Sequence, residues 1–165
     1  MKQETKYTLV DRDDRVVMIG TKSQAVQRGL WRRAVHIFLF NSKGKLLICK
    51  RPPFGRYRNQ WTSSAGGHVD LDESYVHAAL RELKEELNIA VPLRQMGRFD
   101  VVTGRMKMIH YLFVGKYKRG VADTQEIVEQ RFVDIDTVWK DVQKHPRRYT
   151  KPFQEGLKLY LRSKG

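Results

Sequence analysis

The stretch Gly66–Ile89, GGHVDLDESYVHAALRELKEELNI, decides how this chain is read. Its core, Arg81-Glu82-Leu83-Lys84-Glu85-Glu86, sets three carboxylates within little more than one helical turn. At about 100° per residue, Glu82 and Glu86 lie roughly 40° apart, with Glu85 about 60° to the other side of Glu82. Val76, Ala79, Leu80, Leu83 and Leu87 recur at the spacing of an apolar stripe that packs on a core. The spacing predicts an amphipathic helix with one buried face and one exposed acidic face. Like charges this close cost a bare helix roughly 0.2–0.5 kcal/mol per pair, so the cluster suggests a cation that makes it favourable. Crowded carboxylates are hard oxygen ligands suited to Mg²⁺ or Mn²⁺. The competing reading of the six residues alone is a solvated helix face with an ordinary Arg81–Glu85 pair.

The spacing upstream decides against that reading. Seven residues separate Arg81 from Glu73, and five more separate Glu73 from Gly67, giving G-x5-E-x7-R-E-L-x-E-E-L-N-I. This resembles the Nudix signature, G-x5-E-x7-R-E-U-x-E-E-x-G-U with U aliphatic, at every specified position but one. Asn88 stands where the family has Gly. If the helix closes with a left-handed cap, Asn is the best replacement for Gly.

Composition sets the outer bounds. The 165 residues suffice for one well-buried domain, so a single domain over 1–165 is expected, with 1–33 as an N-terminal extension. A chain 41% hydrophobic and 30% charged has a globular composition. No apolar run approaches the roughly 20 residues of a membrane span, and the first residues hold no leader-like apolar segment. No membrane partner is expected. One cysteine, Cys49, excludes an internal disulfide and fits a reducing cytoplasm. The net charge of +14 predicts attraction to polyanions. Nucleic acid is therefore a candidate partner, although no nucleic-acid-binding motif accompanies the charge. The oligomeric state is open, a homodimer being one option.

Working outward, residues 6–20 read as a hairpin around the turn Asp11-Arg12-Asp13-Asp14. Residues 21–33 carry little periodicity and lead into the sheet. Residues 34–41 and 45–51 read as a second hairpin through Ser42-Lys43-Gly44. PPFGRYRNQ, 52–60, is a basic loop that cannot be helix or central strand, and the strand-like TSSAGGHV follows. Residues 95–104 and 107–118 form another strand pair, and 131–135 a further strand. A helix capped by Asp136 should stop before Pro146. A last amphipathic helix begins with Pro152 in its first turn and buries Phe153, Leu157, Tyr160 and Leu161. The connections are too short for repeated parallel crossovers. A mixed sheet between helices is expected, in agreement with the α/β/α sandwich that the resemblance implies.

Residues 8–90 also resemble the branch of the Nudix superfamily that contains isopentenyl-diphosphate isomerase. Those isomerases need a catalytic cysteine just before the Gly-His pair, where this chain has Gly66, and upstream histidine ligands, one of whose positions holds Arg32. The acidic cluster, which the isomerases lack in full, is intact. The resemblance thus implies a metal-dependent hydrolase of a small-molecule diphosphate of nucleoside-diphosphate type. Isomerisation, and binding of nucleotide or RNA without turnover, are the alternatives. It implies Glu82, Glu85 and Glu86 as ligands of Mg²⁺, with Mn²⁺ as alternative, and one of the three as base. The Gly67 carbonyl is a further ligand, Glu73 and Arg81 an orienting pair, and Glu126 or Glu129 an additional carboxylate. Arg51, Arg56, Arg58 and His68 would bind substrate, since a planar guanidinium grips two phosphate oxygens. Solvation in a basic loop is the plain alternative for Arg56 and Arg58.

Overall fold

The computed structural model describes residues 3–165. Strands β1 (Lys6–Val10) and β2 (Val16–Thr21) pair antiparallel as the expected hairpin. Its turn is held by the Asp11 carboxylate, which accepts from the backbone N–H groups of Asp13 and Arg15, each at 2.9 Å. Contrary to expectation, residues 21–33 are not a plain lead-in. Lys22–Arg28 form helix α1. A capping box between Thr21 and Gln24 opens it, and Gly29 at φ 65° closes it.

Strand β3 (Trp31–Phe40) is the centre of the sheet. It pairs in parallel with β8 (Met106–Lys116) along its length and antiparallel with β6 (Ala65–His68) over Ala34–Ile37. The second expected hairpin is present but splays at once: β3 meets β4 (Leu46–Lys50) antiparallel only at Phe40 and Leu46, beside the turn in which the Asn41 N–H donates to the Lys45 carbonyl. Beyond that point β6 and β8 occupy the two edges of β3, while β4 pairs with β5 (Trp61–Thr62) and β9 (Glu129–Val133). Strand β7 (Arg94–Thr103) and β8 form the expected pair around Gly104.

Helix α2 (Tyr75–Leu87) is capped by Ser74, whose hydroxyl accepts from the His77 N–H. It ends on Asn88 at φ 52°, the left-handed closure anticipated for that residue. Its Ala78, Ala79, Leu83 and Leu87 pack on Val35, Ile37 and Leu39 of β3. Val76 and Leu80 of the expected stripe are instead exposed, and Ala78 and Glu86 turn inward. The other sheet face is covered by α3 (Ile135–Lys144) and α4 (Lys151–Lys164). Asp134 rather than Asp136 caps α3, because the preceding strand ends two residues earlier than expected. Thr150 caps α4, which buries Phe153, Leu157 and Tyr160 and leaves Leu161 half-buried. The result is a mixed α/β sandwich with helices on both faces of the mixed sheet. Among the described residues, no helix is long and apolar enough to cross a membrane.

Candidate active site

On the face of β3 shared with α4, Phe38 packs under Phe153 and Tyr160. Towards the start of the strand the same face carries Arg32, Ala34 and His36 and opens into a cavity of about 680 Å³. This is room for a diphosphate and an attached group. Strand β6 and α2 bring Gly66, Gly67, Glu82, Glu85 and Glu86 to it.

The three glutamates differ in environment. Glu86 is 8% exposed, against the expectation of a solvated acidic face. The close β6–α2 packing turns its side chain inward, where it accepts from the Gly66 N–H at 2.8 Å and lies 3.9 Å from the Arg51 guanidinium. Burial pushes its pKa up to about 8, outweighing that hydrogen bond. Glu82 is half-buried and raised to about 7, again by burial first, against the pull of Arg81 at 2.9 Å. Glu85 alone is exposed, 3.2 Å from Arg81. Arg81 also holds both oxygens of Glu73, at 2.8 and 2.9 Å, and donates to the His68 carbonyl. Gly67 leaves room that a side chain would take: a Cβ there would overlap the Glu82 carboxylate.

Other residues singled out in the sequence divide clearly. Arg51, Arg56, His68 and Glu126 line the cavity. Arg58 is exposed and outside its lining. Glu129 sits in β9, paired with Arg131 and 3.9 Å from Lys50, likewise outside the lining. Arg51 and Glu126 are joined at 2.8 Å. Asp123, Ser63, His36 and His110 also line the cavity and escaped the sequence reading. Pairing across the sheet brings His36, Ser63 and His110 together, whereas Asp123 is held by its N–H, which donates to the Glu86 carbonyl at 2.7 Å.

His36 Nδ1 meets the Ser63 hydroxyl at 2.6 Å, and burial lowers its pKa to about 4. His110, 4% exposed, is stacked on Phe99, and both its ring nitrogens are buried without a partner. The imidazoles therefore face the cavity neutral. Cys49 is buried, its thiol pushed up to about 12, and is inert as a nucleophile.

The donor set fits a hard divalent cation: two crowded, partly buried carboxylates with raised pKa values, beside a glycine that admits a carboxylate against the backbone. Among the described residues, however, no three His, Cys, Asp or Glu side chains converge as a formed cage. Arg81 and Arg51 engage the carboxylate oxygens instead.

A helix of clustered carboxylates thus packs over a glycine strand and faces a cavity that also carries arginine. The chain belongs to the Nudix family, whose NUDIX domain matches residues 30–153. It is 31% identical to an isopentenyl-diphosphate Delta-isomerase of Serratia proteamaculans, over 86% of this chain and 83% of that protein. It is 33% identical to an uncharacterized Nudix hydrolase of Pseudomonas aeruginosa, over 92% of this chain and 90% of the relative. It is 27% identical to a prenyl-diphosphate phosphatase of Methanosarcina mazei, over 90% of both chains. In fold it is similar to a Deinococcus radiodurans protein, with a TM-score of 0.76, 24% identity and coverage of 93% of this chain and 97% of that one. The likeness to both Nudix hydrolases and isomerases agrees with the isomerase-like branch of the family.

Proposed function

We propose that this pyrophosphohydrolase cleaves the diphosphate linkage of a nucleoside-diphosphate-type substrate, with Mg²⁺ as its cation and Mn²⁺ as a substitute. The observation that carries this reading is the pairing of buried Glu86 and half-buried Glu82 on one helix face beside Gly67. Water oxygen forms a bond to one phosphorus, the bridging P–O bond breaks, and the departing phosphate takes the electron pair. Glu82, Glu85 and Glu86, with the Gly67 carbonyl, would hold the cation, which supplies charge neutralisation at the phosphoryl oxygens and a more acidic water. One of these carboxylates, ionised beside the cation, would accept the water proton and pass it on. Arg81 and Glu73 position the helix against the loop, and Arg51 and Arg56 offer guanidinium groups to the phosphates.

The experiment is phosphate or monophosphate release from a panel of nucleoside diphosphates, nucleotide sugars, dinucleotides and prenyl diphosphates, with added Mg²⁺. Glu85→Gln and Glu86→Gln should each lower turnover by at least about 10²-fold. Full activity in both variants would sink the reading.

The isomerase-named relatives favour a second reading, isomerisation of a prenyl diphosphate. Gly66 opposes it, having no side chain to move a proton. A Cβ on residue 66 would also lie 2.7 Å from the Val35 carbonyl oxygen. No allylic product is expected when isopentenyl diphosphate is supplied. Its appearance would reverse the order of the two readings.

A further inference from the structure

Between the glutamates and the end of the cavity that carries Arg32 and Arg56 lies a floor of neutral side chains. The sheet register sets His36 of β3 beside Gly66 of β6, and the neighbouring Ala34 beside His110 of β8. Ala34 and Gly66 are small, which leaves His36 open: a Cβ at residue 66 would stand 3.4 Å from His36 Nδ1. The hydrogen bonds around Ser63 assign the tautomer of His36. The one proton of the Ser63 hydroxyl is donated to the Ala65 carbonyl at 3.1 Å, and a carbonyl can only accept. The 2.6 Å contact between His36 Nδ1 and that hydroxyl therefore uses a proton on the ring. Burial first, and the Arg51 charge second, keep the imidazole neutral, so Nε2 carries no proton. It is an acceptor to which no group donates among the described residues, and it is not sealed in as the nitrogens of His110 are.

His110 adds to the polarity of the floor. It is 4% exposed, its ring centre lies 5.2 Å from that of His36, and both its nitrogens lack a partner. Buried polar groups left unpaired are costly. A hydrocarbon chain laid on this floor would leave the His36 and His110 nitrogens unsatisfied, whereas a polar group would not. Resting on the hydrolase reading for the diphosphate, we propose that His36 is a specificity-determining residue whose Nε2 accepts a hydrogen bond from an N–H or O–H on the attached group. Gly66, which denies isomerisation a side chain, thereby opens this acceptor to the ligand. The donor has two sources: the amino group of a nucleobase, or a ribose hydroxyl.

Nucleoside monophosphates have no anhydride bond to cleave, so their binding reports on the floor whether or not the chain is a hydrolase. Titration calorimetry on the full chain with Mg²⁺ compares AMP with IMP and CMP with UMP, pairs in which an amino donor gives way to a carbonyl acceptor. Wild type should prefer the amino member of at least one pair by about tenfold, the size of one lost hydrogen bond. His36→Phe leaves the Ser63 hydroxyl on its carbonyl and should erase the preference. His36→Gln, whose amide oxygen can stand where Nε2 does, should retain much of it. A histidine with a structural role only would weaken both members alike and leave their ratio unchanged. Ser63→Ala releases the tautomer and should narrow the ratio as well, a second route if His36→Phe does not fold. If the pairs bind equally but 2′-deoxy-AMP or 3′-deoxy-AMP binds about tenfold more weakly than AMP, and the variants erase that difference, the donor is the ribose hydroxyl. The proposal is overturned if wild type binds none of these nucleotides, if it distinguishes neither amino nor hydroxyl groups, or if its preference persists in the variants. Tighter binding of geranyl monophosphate than of every nucleotide also overturns it. Preferences that stand while no diphosphate is turned over would remove the hydrolase reading alone.

Discussion

The two ends of the cavity solve opposite electrostatic problems, and only one of them is solved by the protein itself. At the glutamate end every carboxylate has a donor within the fold: Arg81 for Glu82 and Glu85, the Gly66 N–H for Glu86, Arg51 for Glu126. At the arginine end Arg32 and Arg56 meet only neutral partners: the His68 ring nitrogen, the Met106 thioether, and the rings of Tyr7 and Tyr57. A crowd of like charges can therefore be the quieter region, provided its neighbours are built around it. A single buried guanidinium can be the more strained one.

The largest effect should come from breaking the glutamate end at its glycine. Gly67→Ala places a methyl group where the Glu82 carboxylate lies. Either Glu82 swings away or β6 shifts from α2, and a misplacement of about 1 Å at a reacting centre costs roughly 10²-fold in rate. Hydrolysis should fall by that order, and the melting temperature should drop through overpacking. Wild-type kinetics in Gly67→Ala would mean that Glu82 does not need its present position.

Next in size is the response to pH with divalent cations chelated. Glu86 carries a folded pKa of about 8 against an ordinary 4.5, so above pH 4.5 the native state binds more protons than the unfolded one. Stability should therefore fall as pH rises from about 4.5 towards 8. His36, lowered from 6.5 to about 4, acts in the opposite sense, adding stability as pH rises from about 4 to 6.5. Between pH 6.5 and 8 only the carboxylate trend remains. A thermal melt series over that window should slope downward for wild type, and the slope should flatten in Glu86→Gln. Identical slopes in the two proteins would remove Glu86 as its source.

What the sequence could reveal follows from this division. The glutamates, Gly67 and the Glu73–Arg81 pair lie in one segment, where 3.6-residue periodicity and fixed spacing carry the information. Even Asn88 was readable, since few residues accept a left-handed cap. The burial of Glu86 was not, because helical periodicity names a face but not what covers it. Here β6 and Arg51 do so. The arginine end was opaque for a related reason. Tyr7, Arg32, His68 and Met106 meet because β3 pairs with β1, β6 and β8, a long-range register that no local pattern encodes. Helix α1 is a different miss, since the T-x-x-Q capping box and Gly29 were both present in the chain.

The smallest expected effect links the glutamate end to its nearest arginine. Arg51 donates to Glu126 at 2.8 Å while standing 3.9 Å from Glu86, so the two carboxylates compete for one guanidinium. The pair is partly exposed, and breaking it should cost no more than about 0.2–1 kcal/mol. Its influence should appear in the charge state of Glu86 rather than in stability at large. In Glu126→Gln a negative neighbour is lost and Arg51 is freed to approach Glu86. Both changes favour the ionised carboxylate and lower its pKa. The downward slope of the chelated melts between pH 6.5 and 8 should then become shallower without vanishing, and hydrolysis should fall far less than in Glu86→Gln. If Glu126→Gln instead removes hydrolysis as completely as Glu86→Gln, Glu126 is itself a ligand of the cation.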